Sequence, residues 1–290
     1  EVVIIDNLNS YYDIELKEAR LARPPATVLV ERVDLVDTNA LARVFAEQQF
    51  DAVAHLAAQA GVRYSLECPE AYIESNYVGT FNLLEAMRQA QVTKLVYAST
   101  SSVYGEDNDV PFAETKPADR PVSVYAATKR AGELLLHTYH HLHNFDVACL
   151  RFFTVYGPWG RPDMAPYLFT DKILRGEELT VFNNGDMRRD FTYIDDIIAG
   201  FVAALGATHG YEIYNLGAGT PVGLMDFIAA IEESTGQAAK LQYAPMQPGD
   251  VTQTYADITK AQAQLQYQPQ VALAAGIASY VAWFREFYKR

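Results

Sequence analysis

Tyr125 and Lys129 stand four residues apart in "YAATK", and upstream the stretch "VYASTSSVYG" sets four consecutive hydroxyl residues, Ser99, Thr100, Ser101 and Ser102, behind an apolar run. On a helix that spacing puts the tyrosine and the lysine on one face, with Cβ atoms about 5–6 Å apart. An ammonium beside a phenol stabilises phenolate and lowers its pKa. A phenolate can take the proton of a sugar hydroxyl while hydride leaves for a nicotinamide, and a neighbouring Ser or Thr can share that proton. Tyr-x-x-x-Lys occurs by accident on many helices; a hydroxyl-bearing strand end about 25 residues before it is what gives it weight. No acid and no histidine accompanies the hydroxyl row.

The elements that must position these groups are legible as alternating patterns. Strands are predicted at "EVVIID", "ATVLVERVD", "FDAVAHLA", "KLVYAST" and "DVACLRFF", and helices at "LVDTNALARVFAEQ", "PEAYIESNYVGTFNLLEAMRQAQ" and "VYAATKRAGELLLHTYHHLH". Short β-branched strands alternating with helices predict an α/β fold with a doubly wound, Rossmann-like parallel sheet. From about residue 155 the prolines Pro158, Pro162 and Pro166 mark a long loop, and the units that follow predict a smaller mixed α/β lobe. The expected division is a nucleotide-binding domain over 1–154, to which 187–216 returns, with 155–186 and 217–290 forming mainly the substrate lobe.

The first strand ends in Asp6 and Asn7. In a dinucleotide-binding fold the second strand ends in an acid that hydrogen-bonds the adenine ribose, about 20 residues after a glycine fingerprint. An acid there favours NAD, since it would repel a 2′-phosphate. No such fingerprint precedes Asp6, so the first strand–helix unit of the fold is expected to be missing from this sequence. The glycine-rich "GAGTPVG" (Gly217 to Gly223) is a poor substitute, because the next strand, "AKLQYAP", carries no acid for a ribose.

With 50% hydrophobic and 20% charged residues the profile is that of a globular protein with a full core, and the net charge of −13 excludes a broad nucleic-acid surface. No apolar run reaches the length of a membrane helix. Two cysteines, Cys68 and Cys149, make no disulfide framework, which fits a reducing cytosol.

The segments "DNLNSYYDIELKEARL", "HLAAQAGVRYSLECPEAYIESNYVGTFNLLEA", "VYASTSSVYG", "YAATKRAGE", "RFFTVYGPWGRPDMA", "RRDFTYIDDI" and "QPGDVTQTYADITKA" together resemble the extended short-chain dehydrogenase/reductase family, and within it the nucleotide-sugar epimerases that act on uronates. The resemblance implies Tyr125 as base, Lys129 as its partner and ribose ligand, and Thr100 as the hydroxyl on the sugar O4, with Ser101 and Ser102 beside it. It implies NAD contacts from Asp6, Asn7, Asp34, Leu35, Leu56, Ala57, Ala58, Asn76 and Ser99. For a UDP-sugar it implies Arg189, Gln247 and Asp250 at the nucleotide and Thr154 and Arg161 at the uronate carboxylate. Arg63 stays open between a substrate-side loop and a surface arginine. The helices "NYVGTFNLLEAMRQA" and "AATKRAGELLLHTY" would form a homodimer seam, although core packing produces the same apolar pattern.

The relatives share oxidation at C4 and then diverge. Dehydratases carry Asp-Glu where this chain has Ser101-Ser102, so the expected outcome here is return of hydride to the other face: UDP-glucuronate to UDP-galacturonate, with NAD regenerated in each cycle. Epimerisation of another nucleotide sugar such as UDP-galactose, and sugar-nucleotide binding without turnover, stay open. In "HTYHHLHN", His137, His140 and His141 share a helix face without a carboxylate or cysteine and predict a solvated helix end, not a metal site. Asp195 and Asp196 are expected to cap the next helix.

Overall fold

The structure, a computed structural model, describes residues 1–105, 109–246 and 252–290. The chain divides into two compact units: Glu1–Gly105 with Ala118–Leu150 and Thr208–Ile213, and Glu106–Pro117 with Arg151–Ala207 and Tyr214–Arg290.

In the first unit β1 (Val3–Ile5), α1 (Ile14–Leu21) and β2 (Leu29–Glu31) make a βαβ element whose strands pair in parallel. The sequence patterns left α1 unassigned; its N-cap is Asp13, whose carboxylate accepts from Glu15 N. The helix α2 (Thr38–Glu47), capped by Asp37, leads to β3 (Val53–His55). The predicted helix over "PEAYIESNYVGTFNLLEAMRQAQ" is there but not uniform. Short turns α3 (Tyr64–Glu67) and α4 (Pro69–Tyr72) run into a π-helical segment at Ile73–Val78 before α5 (Gly79–Gln89). Strand β4 (Lys94–Thr100) is buried from Leu95 to Thr100 and pairs in parallel with β3. An apolar strand of this kind needs cover on both faces, which is what a parallel sheet between helix layers provides.

Helix α6 (Val124–His143) coincides with its predicted span. Ser123 caps its start by accepting from Ala126 N, and Asn144, left-handed at φ 54°, ends it. Strand β5 (Asp146–Phe152) lies beside β4, with the core built from Leu41, Leu84, Met87, Leu95, Leu136, Val147 and Cys149.

The second unit contains β6 (Thr154–Tyr156), α7 (Ala165–Arg175), β7 (Glu178–Phe182), β8 (Arg188–Arg189), β9 (Phe191–Tyr193) and α8 (Ile194–Ala207). The chain then passes through β10 (Tyr211–Leu216), which completes the sheet order β10-β5-β4-β3. It returns with β11 (Val222–Gly223), α9 (Leu224–Thr235), β12 (Lys240–Ala244), β13 (Gln253–Thr254), α10 (Thr259–Leu265) and α11 (Leu273–Tyr288). β6 pairs with β9, β7 with β12, and β8 with both β11 and β13.

The unit boundaries differ from those read off the sequence. Residues 187–207 belong to the second unit, because β9 is hydrogen-bonded to β6 and Thr154 N donates to Asp190 O. Phe112 joins it as well, exchanging backbone hydrogen bonds with Tyr255 and Asp257. Such pairings link residues far apart in sequence and leave no local periodicity. Asp195 and Asp196 lie inside the first turn of α8, not at its cap; Asp196 instead accepts from Gln270 N and Val271 N. Among the described residues no helix is long and apolar enough to cross a membrane.

Candidate active site

In the first unit the hydroxyl row caps a short 3₁₀ turn, Ser101–Tyr104, at the end of β4. Thr100 Oγ1 accepts from Ser102 N and donates to Ser102 Oγ, both at 3.2 Å. Tyr125 sits in the first turn of α6, half-buried, its ring 6.1 Å from that of Tyr72 in an edge arrangement. Lys129 is buried; its Nζ donates to Ala98 O at 2.8 Å and lies 4.7 Å from the Tyr97 ring centroid.

Ser99 points elsewhere than its neighbours. Its Oγ donates at 2.6 Å to Glu133, a fully buried carboxylate that also pairs with Arg130 at 2.7 Å. Residues 98 and 99 of β4 are thus tied to residues 129 and 133 of α6, two rungs that register the Thr100 end of the strand against the tyrosine helix. The sequence reading missed Glu133, although a glutamate four residues after Lys129 on the core-facing side of α6 was the available signal.

Asn76 is buried in the π-helical turn. Its Oδ1 accepts from Gln59 N at 2.7 Å, and its Nδ2 donates to Gln59 O and to Thr128 Oγ1. Thr128 in turn donates to Tyr125 O at 2.9 Å. The wider turn places this amide where an α-helical register would not, as π-bulges at functional sites do. His55 joins from β3. Thr80 Oγ1 gives its proton to Asn76 O at 2.6 Å, so the 2.9 Å contact with His55 is an Nε2–H donating to Thr80. Burial, and secondarily the Lys129 charge, push this imidazole down to about 3. The unfolded chain therefore takes up a proton near pH 6.5 that the folded chain refuses. Stability should be complete above that value and fall by about 1.4 kcal/mol per unit as pH drops towards 3. Urea unfolding at pH 7.5 and 5.5 checks this; a slope that survives in His55→Asn would assign the effect elsewhere.

The predicted cofactor residues near the N-terminus are brought together in part. Asn7 Nδ2 donates to Asp34 Oδ2 at 2.8 Å, while Asp6 accepts from Leu8 N in a tight turn. Leu35 is half-buried, Leu56 and Ala57 are exposed just past β3, and Ala58 is half-buried. Lys17, unassigned from the sequence, is buried and donates to Asn9 O and Oδ1, both at 2.7 Å; burial lowers its pKa while Asp6 raises it. The Asp6–Asp34 cluster offers carboxylate and amide acceptors, and the Lys17 ammonium beside Asp6 is engaged by Asn9 O and Oδ1; carboxylates there suit the free ribose hydroxyls of NAD. Arg63 is exposed at the start of α3.

In the second unit Thr154 is fixed through its backbone to Asp190 O at 3.0 Å, and Arg189 Nη1 donates to Arg188 O and Thr252 O. Arg161 Nε lies 3.2 Å from Asp163 Oδ1, and its Nη2 donates to Met164 Sδ at 3.3 Å. Gln247 and Asp250 lie outside the described residues. The glycine-rich turn after β10 cannot cradle phosphate, because Ala218 N and Gly219 N donate to the buried Asp190 carboxylate. In the histidine tract His140 Nδ1 contacts Phe145 O at 2.8 Å and His137 packs edge-on against Tyr211. Cys68 and Cys149 are free thiols.

A parallel-sheet α/β unit that ends one strand in hydroxyls beside a Tyr-x-x-x-Lys helix defines the class of nucleotide-dependent oxidoreductases and epimerases with a Rossmann-like fold. The chain belongs to the NAD dependent epimerase/dehydratase family, whose sequence profile matches residues 1–217. It is 44% identical to UDP-glucuronate 4-epimerase 5 of Arabidopsis thaliana, over 99% of this chain and 70% of that protein. The solved structure of UDP-glucuronic acid 4-epimerase from Bacillus cereus, with UDP-glucuronic acid and NAD, superposes with a TM-score of 0.90 at 36% identity, covering 99% of this chain and 92% of that one. UDP-glucose 4-epimerase from Thermotoga maritima with UDP-glucose gives a TM-score of 0.91 at 30% identity, covering 99% and 91%.

Proposed function

We propose that the chain catalyses NAD-dependent epimerisation of UDP-glucuronate at C4 to UDP-galacturonate, through a transient 4-keto sugar. The observation that carries the choice of reaction is the end of β4, where Thr100, Ser101 and Ser102 supply hydroxyls, those of Thr100 and Ser102 bonded to each other, and no carboxylate stands among the three. Elimination needs an added acid and base; without them the ketone is left to be reduced again. Tyr125 takes the O4 proton and later returns it, Thr100 hydrogen-bonds O4, and Lys129, anchored on Ala98 O one helical turn after the tyrosine, would supply the positive charge that favours phenolate. NAD, when bound, would supply the hydride acceptor and donor that C4 needs. Asp6, Asn7 and Asp34 would hold its adenosine end and Arg189 the uridine nucleotide, with Gln247 and Asp250 assigned to that nucleotide by family resemblance alone.

The substrate class rests on Arg161 and Thr154 at the carboxylate. A guanidinium grips a carboxylate through two parallel hydrogen bonds, and Asp163 already orients this one. The grip matters because a 4-keto uronate is a β-keto acid. It loses CO2 fastest with the breaking C–C bond perpendicular to the carbonyl plane, and a held carboxylate avoids that geometry. Proton NMR of the chain incubated with UDP-glucuronate and NAD should show UDP-galacturonate and no pentose, with pentose rising in Arg161→Ala. Turnover of UDP-glucose in place of UDP-glucuronate would refute the assignment.

A homodimer is part of this reading. Tyr77, Val78 and Phe81 around the start of α5, and Leu134 on α6, are exposed apolar side chains on the two helices expected at the seam. Sedimentation velocity should give twice the chain mass, and Phe81→Glu should return the monomer.

A further inference from the structure

The loop that carries Arg161 contains a backbone anomaly. Trp159 sits at φ +67°. That left-handed region suits glycine, and a bulky residue held there is strained. Something must hold it, and the structure shows what does. The Trp159 indole lies 5.4 Å from Trp283 and 5.3 Å from Phe287, while Trp283 and Phe287 stack on each other at 5.7 Å and 21° along α11. Aromatic pairs of this kind attract one another beyond the area they bury, which opposes the strain. Trp283 is buried and its Nε1 has no hydrogen-bond partner among the described residues, so this ring is retained for its faces and not for its N–H.

The cage sits two residues from Arg161. Between them Gly160 N donates to Gly157 O at 3.1 Å, closing the turn. Beyond it Asp163 stands at the Arg161 Nε and Met164 Sδ at Nη2, so the guanidinium is held on one side by its own loop. The orientation of that plane therefore depends on where the turn is pinned, and the indole of Trp159 is the pin. A glycine at 159 would accept the same φ without strain. If the fold alone dictated this position, the tryptophan would be the worse choice.

We propose that Trp159, caged by Trp283 and Phe287, is a positioning residue that aims the Arg161 guanidinium and so sets the preference for a carboxylate-bearing sugar over a neutral one. The inference rests on the uronate reading above and goes beyond it by assigning selectivity to the aromatic face of the C-terminal helix. Calorimetric titration of the whole chain, without added NAD, with UDP-glucuronate, UDP-glucose and UDP tests both. Trp159→Gly and Trp283→Ala should each lose tenfold or more in affinity for UDP-glucuronate, about 1.4 kcal/mol, and keep UDP and UDP-glucose within twofold. Trp283→Phe, which forfeits no hydrogen bond, should retain the preference. An equal loss for all three ligands would mean general damage to the unit and would overturn the proposal, as would unchanged affinity for UDP-glucuronate. A native chain that binds UDP-glucose as tightly as UDP-glucuronate would instead overturn the uronate reading itself.

Discussion

Tyr125→Phe is expected to lower kcat by about 10²–10⁴-fold, the range for removing a positioned general acid–base group, with the melting temperature and UDP-sugar affinity close to native. The structure says why the effect should be confined to chemistry. The ring of Tyr125 meets Tyr72 edge-on, a contact phenylalanine keeps. Its backbone is held independently of the hydroxyl, by the Thr128 hydroxyl on Tyr125 O and by the Ser123 cap one residue before the helix. Lys129 stays anchored on Ala98 O whether or not the phenol is present. The loss should therefore appear in kcat and not in KM. Thr100→Val offers a graded comparison: on the proposed roles it would remove a hydrogen bond to O4 but not the base, and it should fall less. Activity of Tyr125→Phe within tenfold of native would mean that another group takes the O4 proton.

How far the sequence foretold this arrangement depends on the range of the interactions. Helix α6 was legible to the residue, since its cap, its apolar period and its closing Asn144 are all local. Tyr125, Lys129 and Thr100 were legible because a helix spacing and a strand end place them. Asn76 was visible only through family resemblance; its amide is paired with the backbone of Gln59, 17 residues away, which no local pattern announces. Glu133 lay in plain sight but acquires meaning only through Ser99, 34 residues before it. Asp190 was passed over entirely, and the unit boundary with it. A buried aspartate between an arginine and a phenylalanine announces nothing until segments 28 and 66 residues downstream fold onto it. The Trp159 conformation is of the same kind, because backbone strain is stabilised by α11, whose aromatic period reads as ordinary core.

Asp190 carries the other large expected effect. It is fully buried, and its carboxylate accepts from Ala218 N at 2.6 Å, Gly219 N at 3.1 Å, Ala256 N at 3.0 Å and Thr192 Oγ1 at 2.9 Å. Burial pushes its carboxyl above the ordinary carboxylate range, and these four donors pull the other way. Asp190→Ala would leave three backbone N–H groups without an acceptor, at about 1–3 kcal/mol each. The sum is comparable with the whole stability of a typical domain, about 5–15 kcal/mol. The second unit should lose its native fold near physiological temperature. Both tryptophans of the chain lie in that unit, so the midpoint of a urea titration followed by indole fluorescence reports on it. Asp190→Asn should fall between, keeping one acceptor oxygen while turning an NH2 towards donors. Gly217→Ala probes the same knot from outside, because an added Cβ would meet Asp190 Oδ2 at 2.7 Å and push the carboxylate off its donors. A midpoint for Asp190→Ala within 1 kcal/mol of native would show that water replaces the lost oxygens, and the knot would then be incidental to the unit and not its centre.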